Sequence, residues 1–181
     1  MPLYAIRHGE TALNAQRIYN GTLDEPLSAV GEEQARAAAA SVAAVPFDQI
    51  ICSPLSRTRR TCELVNANHV PVLYDARLME REMGSLTSQP YSAADGRRIW
   101  SYHSDYSAGF AGLESVDSII ARARSVVEEL REKYAGRTVL LVTHGGFIRA
   151  LRSAVDGIPE NGELADFPIS KNCELSFICN L

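Results

Sequence analysis

The chain has 181 residues, of which 46% are hydrophobic and 22% charged. That balance excludes a disordered, collagenous or fibrous protein, and the length suits one domain with a sizeable core rather than two ordinary ones. With 18 Lys+Arg against 22 Asp+Glu the formal charge is -4, so nothing overall draws the protein to a nucleic-acid backbone, and any anion site has to be local.

The small-apolar stretch 37–47 contains Ser41 and is far too short for a bilayer, so no membrane span is expected. Met1-Pro2-Leu3-Tyr4 runs straight into Arg7 without the basic flank and apolar run of an export signal, which makes the cytoplasm the expected location. Without export, the Asn20-Gly21-Thr22 match to a glycosylation acceptor carries no weight. Cys52, Cys62, Cys173 and Cys179 have no C-x-x-C spacing and read as free thiols, with no zinc site.

Residues 3–6 form a short apolar run that stops at Arg7-His8-Gly9, the pattern of a buried strand and a turn. Ala- and Glu-rich sequence from Ser28 to Ala44 predicts a helix, with Pro46 beyond its end. Residues 49–52 predict a second strand. Ser53-Pro54 then reads as an N-cap and first-turn proline for a helix reaching Val65. Residues 71–74 suggest a third strand, and 75–110 lack a clear period and predict loops and short helices. Val116, Ile119, Ile120, Ala123, Val126, Val127, Leu130 and Tyr134 recur at helical spacing, with Ser115 placed to cap the start and Gly136 past the end. Residues 138–142 predict the most apolar strand, followed by a helix from about Phe147, and 173–179 predict a last strand at an edge. Strands alternating with helices give an α/β domain with a largely parallel sheet.

In open α/β sheets the ligand crevice lies beyond the carboxyl ends of the strands. The residues at those ends agree with one another: Arg7-His8-Gly9-Glu10, Ser53-Pro54 with Arg57, and Thr143-His144-Gly145-Gly146. Glycine after each histidine lets backbone approach a ligand, and a helix start at Ser53 would add free N–H groups, all of which suits a phosphate. A neutral imidazole beside guanidinium groups is a competent nucleophile toward phosphorus without a metal. Protonation of the leaving oxygen needs an acid, for which Glu80 is one candidate among several on position alone.

Plainer readings stand beside these. One histidine at a strand end is usually a turn or core residue, but two of the four histidines are followed by Gly at such ends. Arg57, Arg59 and Arg60 taken alone make a solvated helix face, and Glu114-Ser115 a helix start. Trp100, Tyr102, Tyr106 and Phe110 are read first as packing of an irregular segment, and second as a lid. His69 and His103 receive no role. No P-loop, G-x-G-x-x-G, H-E-x-x-H or G-x-S-x-G pattern is present.

Arg7-His8-Gly9-Glu10-Thr11 with Asn14 resembles the signature of the histidine phosphatase superfamily, the phosphoglycerate mutase-like family. Similarity continues through Asn20-Gly21, Asp24-Glu25-Pro26-Leu27-Ser28, Gly31, Gln34-Ala35, Ser53-Pro54-Leu55-Ser56-Arg57 and Arg60-Thr61. It ends with Leu78-Met79-Glu80, Gly84, Glu114-Ser115, Val142-Thr143-His144-Gly145-Gly146 and Asn172-Cys173, and so covers nearly the whole chain. The resemblance implies a three-layer α/β/α sandwich with a mainly parallel sheet over residues 1–181, with a lid segment at 85–112. It implies that His8 is phosphorylated during turnover, that Arg7, Arg57 and His144 hold the phosphoryl group with Asn14 and Gly145, and that Glu80 donates the proton. Thr11, Asn20 and Gly21 fall on the substrate side.

Departures from the family pattern occur at Ser85-Leu86-Thr87-Ser88 after Gly84, at Leu113 where Gly usually precedes Glu-Ser, and at Thr58 and Cys62 in place of alanines. The stretch from Glu80 to Glu114 is shorter than the mutases of the family carry, which favours a phosphatase. The resemblance therefore implies a metal-independent phosphomonoesterase with no cofactor, acting on a small-molecule phosphate ester and not on nucleic acid or a membrane, with oligomeric state open. Sugar phosphates, phosphoglycerates, α-ribazole phosphate and phosphohistidine in proteins are the implied substrates. Mutase-type phosphoryl transfer and a non-catalytic phosphate-recognition module are the alternatives. Arg97-Arg98 is a candidate contact for a second phosphate or carboxylate.

Overall fold

A five-stranded sheet in the order β3-β2-β4-β1-β5 organises the chain, with β1 Pro2–Arg7, β2 Gln49–Cys52, β3 Val72–Tyr74, β4 Val139–Thr143 and β5 Leu175–Asn180. The computed structural model describes residues 1–103, 109–168 and 170–181, all but 93–95 with their side chains. Tyr106 and residues 104–108 of the lid stretch lie outside the described residues. The first four strands run parallel, and β5 adds antiparallel to β1 at one edge.

Alternation along the strands assigns each side chain to a face. Leu3, Ala5, Ile51, Val139 and Leu141 pack under helices α5 (Val116–Lys133) and α6 (Gly145–Asp156). Ile6, Ile50, Cys52, Leu140 and Val142 pack under α2 (Ala29–Ala43) and α3 (Ser56–Val65) on the other face. Helices on both faces of a mostly parallel sheet make the expected three-layer α/β/α sandwich. The stripe on α5 is buried as its spacing predicts, and Ile119 and Ile120 are each at most 1% exposed. Each such side chain contributes roughly 1.5–3 kcal/mol. Ser28 and Ser115 cap α2 and α5 through their hydroxyls. Two short helices, α1 (Ala12–Ala15) and α4 (Ala93–Arg98), lie in the connections.

Two helix starts differ from the sequence reading. Helix α3 begins at Ser56, not at Ser53, and Leu55 in extended backbone precedes it without a side-chain cap. Ser53 is unavailable because its hydroxyl lies against His144, so Asp24 takes over and accepts from the Ser56 N–H at 2.6 Å. Helix α6 begins two residues earlier than Phe147, directly after His144. The helix dipole that points at the strand ends is therefore that of α6, while Asp24 already answers the start of α3.

All four cysteines are free thiols, and burial raises Cys173 to about 11. Among the described residues no helix is long and apolar enough to cross a membrane.

Candidate active site

Backbone hydrogen bonds extend the sheet into the loops that carry the chemistry. His8 N–H donates to the Thr143 carbonyl and Ser53 N–H to the Val142 carbonyl, both at 3.0 Å, so the ends of β1, β4 and β2 are locked side by side. Above them opens a cavity of about 350 Å3, bordered by Arg7, His8, Asn14, Asn20, Gly21, Arg57, Glu80 and Gly145 among others.

His8 is 3% exposed, and its Nδ1 lies 2.7 Å from the Gly9 carbonyl. A carbonyl only accepts, so Nδ1 carries the proton and Nε2 keeps its lone pair. Burial, reinforced by the nearby Arg57 and Arg7 charges, pushes the His8 pKa well below the usual histidine range, which leaves the ring neutral. Its loop is fixed from three sides. Thr61 accepts from Gly9 N–H, Gln34 accepts from Glu10 N–H, and Asn172 donates to the His8 carbonyl.

Arg57 is completely buried and is no solvated face. Its two amino groups donate to the Leu23 and Gly21 carbonyls, while Nε has no partner among the described residues. Arg7 donates to the Ser170 carbonyl at 3.0 Å, and its Nε is likewise unpartnered among the described residues. Burial lowers both arginines from their ordinary range, opposed by the Glu80 charge.

His144 stands one layer deeper and is not on the cavity wall. Its ring centroid is 5.1 Å from that of His8, its Nε2 lies 2.8 Å from the Ser53 hydroxyl, and its Nδ1 has no partner among the described residues. Burial and the charges of Arg57, His8 and Arg7 hold it neutral as well.

Glu80 faces the cavity from the turn after the 3-10 helix Ala76–Leu78. Its carboxylate accepts from Arg81 N–H at 2.8 Å and from Gly146 N–H, at the start of α6, at 3.0 Å. The turn itself hangs from Thr143, whose hydroxyl donates to Leu78, and from Arg122, which donates to Arg77 and Met79 carbonyls and clasps Glu114.

Asn14 borders the cavity and closes a capping box with Thr11. Asn20 and Gly21 also border it, but Thr11 does not; it is fully buried, and its hydroxyl accepts from Asn14 N–H and the Asn20 amide. Arg97 is absent from the wall, because Asp166 and Glu163 hold it at the exterior, and Arg98 does not border the cavity either. Trp100 and Tyr91 are on the wall, whereas Tyr102 is exposed and Phe110 packs against the core.

Sequence reasoning missed Arg81, Arg149 and Tyr91. Arg149 had one detectable signal: five residues after His144, it falls on the cavity side of the helix that starts there. No group of three or more metal-ligating side chains occurs among the described residues.

The sequence profile of the histidine phosphatase superfamily, branch 1, matches residues 3–179. The chain belongs to this superfamily. Members are phosphoryl-transfer enzymes acting on phosphorylated small molecules, and this chain is one of those enzymes. It is 33% identical over 164 residues to a probable phosphoglycerate mutase, GpmB, of Escherichia coli O1:K1, covering 88% of this chain and 76% of that one. Mycobacterial glucosyl-3-phosphoglycerate phosphatase, solved with VO3, superposes with a TM-score of 0.84 at 28% identity, over 96% of this chain and 90% of that one. A putative alpha-ribazole-5'-P phosphatase of E. coli K-12 gives a TM-score of 0.74 at 28% identity, over 88% and 81%.

Proposed function

We propose that the enzyme is a metal-independent phosphomonoesterase that works through phosphorylated His8. The observation that carries this reading is the His8 ring itself. It is neutral and buried between two arginines, with its Nδ1–H on Gly9 and its Nε2 lone pair uncommitted.

In the first step His8 Nε2 attacks phosphorus, the bond to the leaving oxygen breaks, and Glu80 gives that oxygen a proton. Arg7 and Arg57 spread the charge of the transferring group. We assign the Ser53 hydroxyl as donor to His144 Nε2, which puts the ring proton on Nδ1, the nitrogen with no partner among the described residues; from one layer behind the wall that N–H is the further donor to a phosphoryl oxygen. Asn14 and the Gly145 N–H at the start of α6 assist. In the second step water attacks the phosphohistidine, Glu80 recovers a proton from it, and inorganic phosphate leaves.

Hydrolysis is preferred to mutase transfer because the connection from Glu80 to Glu114 is short, and because phosphatases stand among the similar structures. The relative named as a probable mutase favours the second reading, in which a substrate hydroxyl replaces water. We read the chain as one domain, 1–181, with segment 85–112 as a lid that supplies Tyr91 and Trp100 to the wall.

Phosphate release from a panel of monoesters, with chelator present, tests the reading. The wild type releases phosphate, and His8→Ala lowers the rate by about 10³ or more. Interconversion of phosphoglycerate isomers without free phosphate would overturn hydrolysis in favour of the mutase, and absence of both activities would overturn the catalytic reading.

A further inference from the structure

The cavity carries more positive charge than one phosphoryl group uses. Arg7, Arg17, Arg57, Arg81 and Arg149 border it against Glu10 and Glu80. Arg7 and Arg57 flank His8. Arg81 is committed to the Glu114 and Ile99 carbonyls, and Arg17 stands exposed at the rim.

Arg149 has no such employment. It projects from α6 and is 6% exposed, and its guanidinium lies over the Trp100 ring at 4.9 Å. Its Nε has no hydrogen-bond partner among the described residues, and Nη2 makes a long 3.4 Å contact to the Phe167 carbonyl. No carboxylate pairs with it among the described residues, since Glu80 bonds Arg81 and Gly146 and Asp166 bonds Arg97 and Asn161. A buried cation with unused donors is costly unless an anion meets it, and a planar guanidinium meets a carboxylate or phosphate with two parallel bonds. Arg81 also lies over Trp100, at 4.7 Å, which steadies the ring that Arg149 packs against.

We propose that Arg149 forms a second anion subsite beside the phosphoryl site, so that the substrate is a small phosphate ester bearing another anionic group, a carboxylate or a second phosphate. This rests on the phosphatase reading above. The subsite replaces the role that the sequence suggested for Arg97-Arg98: the second anion is met inside the cavity by the helix that follows His144.

Matched esters test it. In one arm, 2- and 3-phosphoglycerate are compared with glycerol 2- and 3-phosphate; in the other, fructose 1,6-bisphosphate is compared with fructose 6-phosphate. The p-nitrophenyl ester reports on the phosphoryl site alone. The expected result is a kcat/KM at least tenfold higher for the doubly anionic member in one arm, which also tells carboxylate from phosphate. Arg149→Gln brings that ratio below about threefold, and Arg149→Lys retains part of it. Hydrolysis of the p-nitrophenyl ester with no discrimination in either arm overturns the subsite and leaves the phosphatase reading intact. An undiminished ratio in Arg149→Gln overturns it equally, and the wild-type ratios decide even if that variant fails to fold. No hydrolysis of any ester removes the phosphatase reading and the subsite together.

Discussion

The Nε2 atom of His144 lies 2.8 Å from the Ser53 hydroxyl, and both residues are completely buried. This contact joins the ends of β4 and β2 and, with the hydroxyl as the donor assigned above, keeps the imidazole proton on Nδ1. Ser53→Ala removes that selection while keeping the Ser53 carbonyl that receives the Thr58 hydroxyl. The expected outcome is a loss in kcat of about tenfold, rising to at most about 10², with rescue by Ser53→Thr. Nitrogen NMR shifts of His144 move at the same time from one tautomer toward a mixture. Unchanged shifts with a full loss of rate would assign Ser53 a packing role only.

The two neutral histidines also set a pH dependence of stability. Burial and the neighbouring arginines hold both folded-state pKa values well below the usual range, whereas the unfolded chain protonates its histidines near the ordinary value of about 6.5. Below that pH the unfolded state binds more protons than the folded one, so stability falls as pH falls. Each histidine contributes about 1.4 kcal/mol per pH unit in that window. Urea unfolding from pH 6 to pH 5 is expected to show a slope reduced by this amount in His8→Asn, and by twice as much when His144→Asn is added. Slopes equal to wild type would mean that these rings are charged in the folded protein.

The strand and helix order and the two His-Gly ends were legible because hydrophobic runs and turn residues are local signals, whereas Arg57 and Glu80 were marked for the site only by the family resemblance; both border the cavity with His8. What was not legible depends on contacts between distant segments. Ser53-Pro54 has the local chemistry of a helix start, but a partner 91 residues away takes its hydroxyl and Asp24 caps the helix instead. Arg57, Arg59 and Arg60 look alike in sequence; only the loop carbonyls of Gly21 and Leu23 draw the first of them inside. Trp100 reads as packing and is both packed and on the cavity wall, since its neighbours Arg81 and Arg149 come from separate parts of the chain.

Arg122 reaches the site without touching it. It bonds both oxygens of Glu114 at 2.8 Å and donates to the Arg77 and Met79 carbonyls, directly before Glu80. Arg122→Met leaves the partly buried Glu114 carboxylate with fewer donors and frees two carbonyls, at an expected cost of about 2–3 kcal/mol. Because the turn that carries Glu80 loosens, kcat falls more than KM changes, and the loss is largest for esters with poor leaving groups, which need the proton most. A uniform loss across leaving groups would show that Arg122 serves stability alone.

Gly146 offers a sharper test of where Glu80 must stand. Its N–H donates to one carboxylate oxygen at 3.0 Å, and a Cβ built on it would lie 2.2 Å from the other and 3.0 Å from the Trp100 ring. Gly146→Ala therefore drives the carboxylate off the α6 start, since Trp100 is clamped by two arginines and cannot give way freely. Helix propensity at this first-turn position changes little and slightly favours Ala, so the fold is expected to survive with a Tm near wild type. The rate should fall by about 10²–10⁴, the usual worth of a positioned acid, and again most for poor leaving groups. Phosphorylation of His8 by an ester with a good leaving group should persist, because the nucleophile and its arginines are untouched. A variant as active as wild type on poor leaving groups would remove Glu80 from the role of proton donor.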